Sequence, residues 1–293
     1  MFHLFKVMDI LAFWQQYHQT ERSFVGMRLH QANFYQANLS GLDFSHSDLS
    51  KASFIWADIS GVILVAANLQ NTVGIWLQGL WADLTEADVC HADWSCANLT
   101  AAKLDRADFV LAKLTGATLC EVSAQDSNFS KAQLWGTLAT KADFSGACLH
   151  QTNWATARLI GTQLVTTDLS WSNLSQVLAT EANLTSANLE GSDLRDADFT
   201  GACFRKADLT ATNCQGICLQ RANLQHADLR GADLTNANLS GADLTGANLK
   251  GANLTNILQT DAIGSTSHSK VPTDWPPDAR CHNAQLFKNR AFQ

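Results

Sequence analysis

Proline is nearly missing from this chain. The three that occur, Pro272, Pro276 and Pro277, all lie near the C-terminus. Proline removes a backbone donor and is confined to sheet edges and bulges, so nothing upstream forces a break in continuous pairing. Charge is scarce as well: 16% of residues are Asp, Glu, Lys or Arg, with a net charge of −7 and a pI near 5.6. A nucleic-acid backbone asks for a basic stripe, and no basic tract is present, which argues against direct nucleic-acid binding. No uncharged apolar run is long enough to span a bilayer. The eight cysteines, Cys90, Cys96, Cys120, Cys148, Cys203, Cys214, Cys218 and Cys281, include no CxxC pair, so a zinc site is not expected. Unbridged thiols and the lack of a secretory signal favour the cytoplasm.

What is present is a five-residue repeat. It is clearest over 221–250, RANLQ HADLR GADLT NANLS GADLT GANLK. Alanine is followed by Asp or Asn, then leucine, then two variable residues. With the leucine as centre, one frame runs without slipping from Phe24 to Leu254. Fixed periodicity of this kind marks a repeat architecture. Five is neither the helical nor the strand period. A helix would spread the leucines around its whole surface, and a flat strand would put successive leucines on opposite sides. A square coil resolves the conflict: each unit makes one side, a short extended piece and then a corner. The leucine and the alanine two before it then point inward together. Four units close a turn, so residues twenty apart stack at roughly 4.8 Å. Gly41, Gly61, Gly116, Gly146, Gly201, Gly231 and Gly241 fall at the last position of the unit, where a corner asks for positive φ. Nearly twelve coils make a rod on the order of 55 Å long.

The motif A-(D/N)-L-x-x, sustained in one frame over most of the chain, resembles the pentapeptide-repeat family. The resemblance implies an all-β solenoid, a right-handed quadrilateral β-helix, closed by short helical caps. Some members of that family bind DNA gyrase as acidic mimics of DNA, and many dimerise end to end through a terminal cap.

The ends depart from the repeat. Residues 1–20 read as a helix with a polar stripe at His3, Lys6 and Asp9 and apolar residues elsewhere, suited to capping the first coil. The solenoid is assigned to 21–257. Residues 258–293 read as a loop and a short helix starting at Asp278 and carrying Leu286, Phe287 and Phe292; covering the second open end and end-to-end dimerisation stand as alternatives for it. Inside the coil, small centres are matched by larger neighbours: Ala124 with Val122, Ala179 with Val177, Gly79 with Leu77. Gly74 lies one coil before the large centre Trp94 and makes room for its ring. The stretch Gln70 to Trp81 is the weakest, since a one-residue shift would make Ile75 and Leu80 the centres; a bulge or a looped-out segment is the alternative to a regular coil here.

Catalytic chemistry is not indicated. The histidines do not converge with Ser, Asp or Cys in the repeat geometry, and a filled β-helix has no cleft. The chain is therefore read as non-enzymatic and without cofactor: an interaction scaffold or regulator whose protein partner the sequence does not name. The candidate surface is apolar. Tyr35, Ile55 and Ile75 form one outward column, Trp56 and Trp76 the adjacent one, and Leu80 and Trp81 lie round the next corner. Burial of this cluster under the N-terminal helix, or inward rotation of the tryptophans at Gly74 and Gly79, are the structural alternatives. The competing reading is the acidic column Asp48, Asp88, Asp108, Asp168, Asp208 and Asp228, which in the family's terms would imitate phosphates for a gyrase or topoisomerase. The plain account of the same residues is turn-favouring, solvated positions.

Overall fold

A computed structural model describes residues 6–7 and 10–264. Strand β1 (Lys6–Val7) is followed by helix α1 (Ile10–His18) and strand β2 (Met27–Arg28). β1 pairs in parallel with β2, Lys6 opposite Met27. The helix is thus shorter than the 1–20 expected, because Lys6 and Val7 extend to pair with the first coil. Residues 1–5, 8 and 9, and the segment in which a helix from Asp278 was expected, lie outside the described residues.

From Ser23 onward the chain forms parallel bridges between residues twenty apart, Ser23 with Asp43 through Asp243 with Ile263. The fold is a right-handed quadrilateral β-helix. The unit 47–51 shows why five residues suffice. Ser47 N–H donates to Phe44 O at 3.0 Å and closes the preceding corner, Asp48 N–H to Met27 O at 2.8 Å one coil back, and Leu49 N–H to Asn68 O at 2.8 Å one coil on. Lys51 N–H donates to Gln70 O at 2.8 Å. The remaining donor, Ser50 N–H, reaches no neighbouring coil and is taken by Asp48 Oδ1 at 3.1 Å. Every N–H of the unit is paired, as buried backbone requires. The Asp or Asn before each centre is therefore a bracket for the following corner; the Ser50 hydroxyl donates to the same oxygen at 2.5 Å.

The last position of every unit, from Gly26 to Asp261, has φ between +53° and +76°. Positive φ at the third residue of a hydrogen-bonded four-residue turn is type II geometry. Glycine meets it without steric cost, but Trp56, Trp76 and Thr156 occupy it too.

The centres and the alanines two before them are buried along the coil, apart from Ala37 near its start and Ala252 and Leu254 near its end, which are partly buried. Phenylalanines twenty apart stack, Phe109 on Phe129 at 4.6 Å with rings nearly parallel. Gln70 to Trp81 remains in register: Val73 bridges Asp93, Gln78 bridges Asn98, and the N–H groups of Gly74 and Gly79 donate to Asp93 O and Asn98 O at 2.8 and 2.7 Å. Neither a bulge nor a loop forms, because neighbours fill the space the glycines leave. A Cβ on Gly74 would lie 2.9 Å from Trp94 Cδ1, and one on Gly79 would lie 2.8 Å from Leu99 Cδ2.

Helix α1 lies across the first coil. Phe13 is fully buried, its ring 4.6 Å from Phe24, 5.4 Å from Phe34 and 5.8 Å from Phe44. The helix ends in a Schellman motif: Thr20 adopts φ +72°, its N–H donates to Tyr17 O at 3.1 Å, and Glu21 N–H donates to Gln16 O at 3.1 Å. Tyr17 Oη–H then donates to Asn38 O at 3.0 Å, which ties the helix to the coil.

Candidate functional site: an aromatic face

Corner positions decide what the rod displays, since both residues of a corner lie outside the core. Trp56 and Trp76 occupy the same corner in successive coils. Their rings stack at 5.4 Å and 10° while 52% and 46% of each residue stays exposed. Tyr35, one coil earlier on the adjoining column, is also exposed; Ile55 and Ile75 above it are half-buried. Across the next side, Leu80 is half-buried and Trp81 is exposed. Gln78 lies between the two corners, its Nε2 donating to Trp76 O at 3.3 Å. The tryptophans thus face outward, and α1 packs against Phe24, Phe34 and Phe44 instead of over them.

The face also continues further than the seven residues singled out from the sequence. Trp135 and Leu138 are exposed, with Ile160 and Leu178 half-buried above them. The signal was available in Leu138 and Leu178, which stand where the repeat calls for Asp or Asn. In the column from Asn38 to Leu178 and the two columns beside it, that of Trp56 and that of Leu80, the only charged residues are Asp58 and Arg158, while the column of Trp81 adds the exposed Glu121 and Lys141.

The acidic column is arranged differently. Asp48, Asp88, Asp108, Asp168, Asp208 and Asp228 do rise in one line, but each carboxylate is engaged locally. Oδ1 of Asp88, Asp108, Asp168 and Asp208 accepts the N–H two residues on. Asn68 Nδ2 donates to Asp48 at 3.2 Å, Gln70 Nε2 to Asp88 at 2.5 Å and Asn188 Nδ2 to Asp168 at 3.1 Å. Asp228 pairs with Arg230 at 2.8 Å. These contacts spread each charge over neighbouring dipoles and, in one case, cancel it.

Among the described residues, no group of His, Cys, Asp and Glu is placed to hold a metal ion. All seven described cysteines are free thiols. Burial pushes the Cys214 thiol up to about 12 and raises Cys90 as well, the opposite of what an activated nucleophile needs. Among the described residues no helix is long and apolar enough to cross a membrane.

Coil geometry and display surface together define a repeat scaffold. The pentapeptide-repeat model matches it in eight copies, over 28–64, 82–120, 121–153, 140–176, 180–213 and 217–256, and the chain belongs to that family. Solved structures with similarity include HetL, a pentapeptide-repeat protein involved in heterocyst differentiation regulation in the cyanobacterium Nostoc sp. strain PCC 7120. It is 28% identical, covering 89% of this chain and 99% of its own, with a TM-score of 0.34. Rfr23 from the cyanobacterium Cyanothece 51142 is 27% identical over 52% of this chain and 90% of its own, at a TM-score of 0.20. The plasmid-mediated fluoroquinolone resistance protein QnrB1, in a trypsin-treated form, is 20% identical over 79% and 88%, at 0.32. No curated protein sequence matches the chain.

Proposed function

We propose that this protein is a non-enzymatic interaction scaffold that engages a protein partner through the face bearing Trp56 and Trp76. The exposed, stacked tryptophan pair carries the reading. Two indole rings in contact with solvent on a rigid ladder are anchors of the kind that dominate protein interfaces, and the surrounding side carries few charges to desolvate. Tyr35, Ile55, Ile75, Leu80 and Trp81 extend that area. In this reading residues 1–20 cap the solenoid at 21–257, residues 258–293 close its far end, and free thiols suit the cytoplasm.

The test is the double variant Trp56→Ser/Trp76→Ser. Its circular dichroism should match the unmodified protein, and its binding to the partner recovered by pull-down from the native host should be lost. Unchanged affinity in a folded double variant would remove this face from consideration. The gyrase-mimic reading rests on the acidic column. A supercoiling assay with micromolar protein decides it, and an inert protein there would exclude it.

A further inference from the structure

We infer that the occupant of the aromatic face is a second copy of this chain, docked antiparallel about a twofold axis that passes between Asn98 and Thr118. The inference rests on the reading of that face as a protein-binding surface and names what binds it.

The argument begins with charge. The middle column of the face runs Asn38, Asp58, Gln78, Asn98, Thr118, Leu138, Arg158, Leu178. Its two charges are opposite in sign, and neither enters an ion pair among the described residues. Arg158 is exposed and Asp58 half-buried. Asp58 lies two coils before Asn98, and Arg158 lies two coils after Thr118. A twofold axis perpendicular to the face, midway between Asn98 and Thr118, therefore sets Asp58 of each copy against Arg158 of the other. Only one register does this. Any other register, or a parallel arrangement, leaves charges facing uncharged residues on a desolvated surface, which is penalised.

The same operation tests itself on the remaining columns, which it exchanges across the face. Trp56 falls opposite Ile160, and Leu80 opposite Gly136, a residue without a side chain to obstruct it. Gln78 meets Leu138. At the rim Trp81 faces Trp135, and beside the axis Cys96 faces Cys120. No like charges meet, and the exposed Glu121 and Lys141 of the rim column fall opposite Ser95 and Ile75, where their long side chains reach solvent. The axis thus pairs both charges and sets Trp56 on Ile160 and Trp81 on Trp135, while Trp76 meets Thr140 and Leu178 meets Asn38; the charge pairing is the self-complementarity that an isologous interface demands. From Asn38 to Leu178 the face rises about 34 Å at roughly 4.8 Å per coil, and one side is about 15 Å across with its corner side chains. Two such faces bury about 1,000 Å², the lower bound for a specific interface.

Sedimentation equilibrium of the full chain from 1 to 200 µM tests this. The unmodified protein should pass from monomer to dimer across the series. Asp58→Arg alone and Arg158→Asp alone each create two like-charge contacts per dimer and should weaken association more than tenfold. The combined Asp58→Arg/Arg158→Asp variant re-forms both pairs and should return to within about threefold of the unmodified protein, a rescue that an interface elsewhere would not give. A short bismaleimide should join Cys96 of one copy to Cys120 of the other, and Cys96→Ser should abolish that cross-link. A monomer at 200 µM, or single variants that weaken the dimer without rescue in the combined one, would overturn the antiparallel dimer. If the chain is monomeric yet Trp56→Ser/Trp76→Ser still loses a different protein, the self-association fails and the face remains a binding surface. If a dimer of unchanged affinity persists in that tryptophan variant, the antiparallel dimer fails; the reading of the face as a binding surface fails only if the variant also keeps its affinity for the recovered partner.

Discussion

Gly74→Ala should destabilise this protein, although most Gly-to-Ala changes at ordinary φ do the reverse. Gly74 lacks the positive φ of the corner glycines, so backbone conformation does not oppose alanine. Restricting the unfolded chain alone would then yield a gain of about 0.4–1 kcal/mol. Packing opposes it. The new Cβ would lie 2.9 Å from Cδ1 and 3.0 Å from Nε1 of Trp94, and 3.3 Å from Leu77 Cδ2. Trp94 is fully buried and its Nε1–H donates to Thr72 Oγ1 at 3.0 Å. The ring must move by several tenths of an ångström, away from the only partner of a buried donor. Overpacking of this kind costs about 1–3 kcal/mol, and loss of the buried hydrogen bond about 1–3 kcal/mol more. The net expectation is a loss of about 1–5 kcal/mol. Urea denaturation followed by tryptophan fluorescence and circular dichroism measures it. Gly74→Ala/Trp94→Leu supplies the control: with the ring gone the alanine has room, and a double-mutant cycle should show a favourable coupling of about 1–3 kcal/mol. A neutral or stabilising Gly74→Ala would refute the claim that this glycine exists for Trp94.

Other expectations concern the repeat itself. Leu229, a buried centre, should lose about 2–5 kcal/mol as Leu229→Ala and more as Leu229→Asp, whereas Arg230→Asp on the surface should stay within about 1 kcal/mol; equal urea midpoints for the two Asp variants would show the frame to be wrong. Thr20→Gly should raise the stability by about 0.5–1 kcal/mol, because a β-branched residue at φ +72° carries a steric cost that glycine lacks; a lower urea midpoint would show that the helix end is not built as described. Acid should weaken the coil in a defined window. Hydrogen bonds from Arg195 to Asp193, from Thr235 to Asp233 and from Thr245 to Asp243 hold these carboxyls below the usual range. A group depressed in the folded state lends stability above its unfolded pKa and loses it as pH falls through the folded value. The urea midpoint should therefore be flat in this contribution from pH 7 to 5 and fall below about pH 4; an unchanged midpoint at pH 3 would contradict it.

Most of the fold was legible because a five-residue frame admits few solutions. The leucines, the inward alanines and the compensating pair of Gly74 with Trp94 all follow from period and volume. Gln70 to Trp81 was ambiguous for a physical reason: glycine at a centre removes the hydrophobic mark that sets the register, and only the next coil reveals what fills the gap. The role of the Asp or Asn before each centre was hidden because turn propensity describes it adequately, while its bracket on the following N–H depends on which backbone donors the ladder leaves over. Likewise glycine at the corners suggested positive φ, but nothing local told that Trp56 and Trp76 adopt it too. The tryptophan cluster could be placed from spacing alone. Its extension through Trp135, Leu138 and Ile160 escaped notice because those residues are separated by more than a coil from Trp76 and look isolated in the chain.

The backbone accounting of a unit such as 47–51 has a consequence for how such a rod can change. Removing five residues deletes one complete side with its donors and acceptors, so the ladder reseals wherever no fitted pair such as Gly74 and Trp94 spans the cut. Everything downstream, however, turns by a quarter relative to everything upstream. A deletion of 126–130 would leave a filled core and move Arg158 onto a different side from Asp58 and Trp76. Loss of twenty residues restores the alignment and merely shortens the distance between them. Lineages of this rod can thus lengthen or shorten in steps of twenty while keeping what they display, and a step of five rewrites the display with the interior none the wiser.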